Sequence, residues 1–130
     1  MSSVLVCEDD AAIGGLIVAL LSRGAIACEW VGSGNAALQR LRQRSYDAVV
    51  LDLMMGEGSG FEVIEWMRAE APYLLRRVTI VTASTAALKS DIRHEVHAVL
   101  LKPFEIHELL ATVRASVSRA DGEPLATDPA

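Results

Sequence analysis

Basic residues are in the minority: 12 Lys and Arg stand against 17 Asp and Glu, a formal charge of −5. No Lys/Arg cluster stands out. A nucleic-acid surface needs a basic face to neutralise phosphates, so direct nucleic-acid contact is not expected. The start of the chain lacks a basic–apolar–small-residue signal. No apolar run reaches membrane-spanning length. Cysteine is scarce: Cys7 and Cys28 both sit inside apolar stretches and form no paired metal or redox motif. They read as small buried hydrophobes. Internal repeats are missing, and so is any sign of a second domain. These absences lead to the expectation of a cytoplasmic protein with no membrane contact.

The 130 residues, 52% of them apolar, suffice for one domain with a real core. Val4–Cys7 is a short β-rich run that stops at acids. Residues 10–23 carry Ile13, Leu16, Ile17, Leu20 and Leu21 at helical spacing, and Gly24 closes that helix as a C-terminal glycine would. Residues 26–31 read as a strand. Ser33 can cap a second helix with Ala37, Leu38 and Leu41 inside. Residues 47–51 are apolar after Asp47, as suits a strand covered on both faces. A turn rich in glycine follows, with Gly56, Gly58 and Gly60. The next helix spans about 61–70 and ends at Pro72. Residues 78–81 and 98–101 read as strands, with a weak helix somewhere in 86–93. A last helix starts near Pro103 and is expected to bury Ile106, Leu109, Leu110, Val113 and Val117. The domain is expected to cover residues 1–119, and the small, polar tail 120–130 to be disordered. Strand and helix alternate five times. That implies an α/β fold, a five-stranded parallel sheet with helices on both faces.

In open α/β sheets, ligands bind beyond the carboxyl ends of the strands. Glu8, Asp9 and Asp10 follow the first strand there, Asp52 the third, Thr82 the fourth and Lys102 the fifth. Taken singly, each has an ordinary explanation. The acids could start a helix, Asp52 could serve a turn, Thr82 could end a strand, and Lys102 could be a solvated charge. Together they suit a magnesium-dependent phosphoacceptor. Magnesium takes a few hard oxygen ligands, which Glu8, Asp9 and Asp52 can offer. Asp52 can also act as nucleophile. Lys102 can offset charge on a transferring phosphoryl group, and the Thr82 hydroxyl can donate to it.

With those residues in view, the sequence resembles the response-regulator receiver family of two-component signalling. The resemblance rests on Val4-Leu5-Val6-Cys7-Glu8-Asp9-Asp10, Val49-Val50-Leu51-Asp52-Leu53-Met54-Met55, Val81-Thr82-Ala83 and Leu101-Lys102-Pro103-Phe104. These motifs occur in family order over roughly the first 118 residues. The resemblance implies a flavodoxin-like (βα)5 receiver fold. It also implies Asp52 as phosphoacceptor, Thr82 as switch hydroxyl and Lys102 as phosphate-pairing lysine. Glu8, Asp9, Asp52 and the Met54 backbone carbonyl become the Mg2+ ligands, and the bond before Pro103 is expected to be cis. Three departures stand out. Gly56 replaces the usual proline, Val99 replaces the usual aromatic, and the stretch from Thr82 to Lys102 is about two residues short. His94 and His97, three apart, lack a third ligand for a metal site.

The length leads to the expectation of a stand-alone module, and the family implies one controlled by phosphorylation rather than a classical enzyme. It would take its phosphoryl group from a histidine kinase or histidine phosphotransfer protein and signal through protein contacts to a downstream target. The reading leaves room for a homodimer. The alternative is a receiver fold that binds partners without phosphorylation. An aspartate-nucleophile phosphatase of the haloacid dehalogenase kind needs a second aspartate where Met54 stands. A flavin carrier would find its phosphate repelled by Glu8, Asp9 and Asp10.

Overall fold

The computed structural model describes residues 3–55, 59–83, 88 and 90–122. Its strands are β1 (Ser3–Cys7), β2 (Ala27–Val31), β3 (Ala48–Asp52), β4 (Val78–Thr82) and β5 (Ala98–Leu101). Its helices are α1 (Ala11–Arg23), α2 (Gly34–Gln43), α3 (Gly60–Glu70), α4 (Ser90–Glu95) and α5 (Ile106–Gly122). The strands are parallel in the order β2-β1-β3-β4-β5. The expected five-stranded parallel sheet is therefore present.

Alternation along each strand builds two apolar layers. Val4, Val6, Ala48, Val50, Val81 and Leu100 face Ile17 and Leu21 of α1 and Leu109, Val113 and Val117 of α5. Leu5, Cys7, Val49, Leu51, Val78 and Ile80 face Ala37 and Leu41 of α2, Val63, Ile64 and Met67 of α3, and Ile92 of α4. Burial on both sides is why β3 reads as a continuous apolar run up to Asp52, and β4 is buried at every position, Thr79 included. Cys7 is a core residue, as expected, and burial pushes its thiol far up.

Helix ends follow local chemistry. Asp10 caps α1, accepting from the amides of Ala12 at 2.9 Å and Ile13 at 3.2 Å. Ser33 caps α2, accepting from Ala36 at 3.1 Å. At the far end of α1, Gly24 has φ −84°, and the left-handed residue is Ala25, at φ 63°. The expectation that Gly24 itself supplies the special conformation is corrected by one position. The amide of Ala25 donates to Ser22 O at 3.0 Å and that of Ile26 to Leu21 O at 3.0 Å. These are the paired bonds of a Schellman motif. Ile26 and Leu21 share one core layer, and their packing places the turn.

Other boundaries move as well. A 3₁₀ helix, Pro72–Arg77, lies where Pro72 had marked only an end. The last helix begins at Ile106 rather than near Pro103, and Ile106 is half exposed instead of buried. It continues through Gly122, three residues past the expected domain limit at 119. Residues 123–130 of the expected tail lie outside the described residues, as do Gly56, Gly58 and positions 86, 87 and 89 of the segment where a weak helix was expected. Gly60 is needed for close approach: a Cβ there would lie 2.5 Å from Asp52 O and 2.6 Å from Leu53 Cα.

Candidate functional site

The chain leaves β1 toward β2 on one side and β3 on the other, and a crevice opens where the order reverses. Register brings the key residues together there. Cys7 pairs with Leu51, so Glu8 and Asp52 end adjacent strands at one level. Asp52 pairs with Val81 and Thr82 with Leu101, which brings Thr82 and Lys102 to the same edge.

Glu8, Asp52 and Thr82 are buried, whereas Asp9 is exposed. The Lys102 ammonium donates to Glu8 Oε1 at 2.6 Å and to Asp52 Oδ2 at 3.1 Å. The second oxygen of Asp52 accepts from the Met54 amide at 3.0 Å. The second oxygen of Glu8 accepts from the Asp10 amide at 3.3 Å. The Lys102 amide donates to Thr82 O at 2.7 Å, tying β5 to β4 just before the cis Lys102-Pro103 bond. That bond has the expected configuration.

The site is short of positive charge. Burial, and then the neighbouring Asp52, push the Glu8 carboxyl up to about 7 against the pull of Lys102. Burial also works against the Lys102 ammonium, but Glu8 and Asp52 overcome it and hold that group above its ordinary value. One carboxylate oxygen from each of Glu8, Asp9 and Asp52 lies within 4.8 Å of the others. This all-oxygen donor set, served by one ammonium, fits a hard divalent cation. Asp10 stands outside the group because its carboxylate caps α1. Met54 exposes its side chain (62%) and, with Asp9, Leu53, Met55, Ser59 and Phe61, borders an open cavity of about 500 Å3 beside the acids.

The histidines take no part. His97 Nε2 lies 3.0 Å from the Thr112 carbonyl and its Nδ1 3.0 Å from an Arg119 nitrogen, so both ring nitrogens are engaged. His94 is exposed. Val99, in place of an aromatic, packs half-buried against the α2–α4 layer. One contact at the site had no signal in the sequence. The Trp30 indole donates to the Glu8 carbonyl at 2.8 Å, and only the pairing of β1 with β2 brings the two together.

The response regulator receiver domain family matches residues 4–114. The DNA-binding response regulator MtrA of Mycobacterium tuberculosis (strain ATCC 25618 / H37Rv) is 31% identical over 121 residues, 93% of this chain and 53% of MtrA. The chain thus spans about half the length of the curated relatives it matches. The receiver domain of the Francisella response regulator 1452 superposes with a TM-score of 0.78 at 26% identity, covering 92% of this chain and 98% of that one. The CheY-like receiver domain protein from Methanospirillum hungatei JF-1 shares the fold at a TM-score of 0.84 and 17% identity, over 95% and 99% of the two chains. With the family match spanning most of its length and these folds superposing on it, the chain belongs to the response regulator receiver domain family.

Proposed function

We propose that this receiver is switched by transfer of a phosphoryl group to Asp52, with Mg2+ held by Glu8, Asp9, Asp52 and the Met54 backbone carbonyl. The donor is a histidine kinase or histidine phosphotransfer protein. The observation that carries the reading is the setting of Asp52. Its carboxylate is buried, bonded to Lys102 at 3.1 Å, and within 4.8 Å of ligand oxygens from Glu8 and Asp9. An Asp52 oxygen attacks phosphorus. A new O–P bond forms while the bond from phosphorus to the donor nitrogen breaks, leaving an aspartyl phosphate and free histidine. Bound magnesium would offset charge on the transferring group. Lys102 then pairs with a phosphate oxygen, and the Thr82 hydroxyl donates to another. The new group adds close to two negative charges and strong acceptors, enough to reposition the loop after β4.

Output runs through protein contacts to a downstream target, in a cytoplasmic setting and without direct nucleic-acid contact by this domain. No described helix is long and apolar enough to cross a membrane. The DNA-binding role in MtrA's name belongs to that longer protein. The test is labelling with acetyl phosphate and magnesium. One acid-stable, base-labile phosphoryl group should appear per chain, Asp52→Asn should abolish it, and EDTA should prevent it. Normal labelling of Asp52→Asn would remove the assignment. An unlabelled natural protein would leave a receiver fold that binds its partners constitutively.

A further inference from the structure

We propose that Trp30 is a positioning residue for the acids after β1. Its indole N–H, bonded to the Glu8 carbonyl, sets the Glu8–Asp9 peptide and with it the affinity of the site for a divalent cation. The inference rests on reading that site as a magnesium site.

Cys7 pairs with Val31, and the Glu8 amide still donates to Val31 O at 3.1 Å. In a continuing parallel ladder, the Glu8 carbonyl would next accept from the amide of Ser33. Ser33 instead turns out of the sheet to cap α2. The indole of Trp30 supplies the donor at 2.8 Å. Both backbone groups of Glu8 are therefore fixed by the end of β2. The peptide unit is planar, so the direction of the Glu8 carbonyl also sets where Asp9 begins. Asp9 is exposed and depends on its backbone for its aim.

The ring is not placed by either core layer. Trp30 is 42% exposed and belongs to neither apolar layer. Space has been left for it. A Cβ at Gly14 would lie 2.2 Å from Nε1 and 2.6 Å from Cδ1 of the indole. Any side chain at Gly14 would evict the ring, while a helix gains from replacing glycine by alanine. A glycine inside α1 thus accommodates the indole at the expense of helix propensity.

The test is a calorimetric Mg2+ titration at fixed pH and ionic strength on the natural chain, Trp30→Phe, Gly14→Ala and Trp66→Phe. Trp30→Phe keeps the ring but removes the donor. Gly14→Ala keeps the donor but displaces it, with helix propensity raised. Both should bind Mg2+ roughly tenfold more weakly, as loss of a group orienting a ligand typically does. Trp66→Phe should bind as the natural chain does. Both variants should stay folded at the titration temperature, as read by far-UV circular dichroism and a cooperative melt above it, so that lost affinity is not lost fold. The Trp30 indole N–H resonance of the natural chain should shift as Mg2+ saturates. Unchanged affinity in both Trp30→Phe and Gly14→Ala, with the natural chain binding, overturns the role of Trp30 alone. No binding by the natural chain overturns the magnesium site and this inference with it.

Discussion

At the scale of single residues, Ala25 closes α1 in a conformation its methyl group resists, at φ 63°. Left-handed backbone costs an L-residue about 1–2 kcal/mol, and glycine adopts it freely. Part of that gain is lost to the greater freedom of glycine in the unfolded chain. Ala25→Gly should therefore raise stability by about 0.5–1 kcal/mol. The expected result is a higher urea midpoint with an unchanged slope; an unmoved midpoint would show that the strain is relaxed elsewhere. The sequence offers Gly24 as the obvious terminator, and only the packing of Ile26 on Leu21 moves the special angle one residue on. Site residues were more legible. Glu8, Asp52, Thr82 and Lys102 each directly follow or end an apolar strand, so their meeting follows from a parallel sheet. The Trp30–Glu8 contact was not legible, because it depends on which strands are neighbours and on the room that Gly14 leaves for the ring.

At the scale of elements, α4 (Ser90–Glu95) is too short to be stable alone. Ile92 anchors it in the core, and Arg68 of α3 ties it down from outside. Arg68 Nε lies 3.0 Å and 3.1 Å from the two Glu95 oxygens, and a guanidinium nitrogen lies 3.3 Å from Asp91. A third carboxylate, Glu65, sits 3.0 Å away within α3. Glu95 above all, helped by Asp91 and Glu65, outweighs burial and raises the Arg68 pKa. Arg68→Ala should free α4 locally: amide exchange over Ser90–Glu95 should quicken roughly tenfold, about 1.4 kcal/mol after allowance for partial exposure. Amides of β1, β3 and β4 should keep their protection. Equal exchange in α4 would mean that Ile92 and Val96 hold it unaided. Elements with strong apolar pattern were legible in the sequence: all five strands, α1, α2 and α3. The 3₁₀ helix Pro72–Arg77 was not, for it has no helical periodicity. It is secured by a tertiary contact, Arg77 donating to Tyr46 O at 3.0 Å, and within the element the Arg77 guanidinium lies over the Tyr73 ring. The half exposure of Ile106 was equally hidden, since apolar spacing does not say where α5 meets the layer.

At the scale of the whole molecule, the site and β5 are one mechanical unit, because Lys102 directly follows that strand and is the partner of Glu8 and Asp52. Beryllium fluoride on Asp52 with magnesium should draw Lys102 and Thr82 toward the new group. NMR signals should then shift along β4, α4 and β5, and only slightly in the middle of α1. Saturated binding with unmoved signals from Thr82 to Lys102 would show that the domain binds without switching. The Lys102–Glu8 bridge also joins residues 94 positions apart, and Lys102–Asp52 joins residues 50 apart. Contacts of such span are entropically expensive to form before the intervening chain has found its place. The site therefore cannot exist in a partly folded chain: a nascent or damaged copy with β5 undocked has a carboxylate at Asp52 but no lysine beside it. On the proposed reading, competence to switch thus doubles as a certificate that the last strand has arrived.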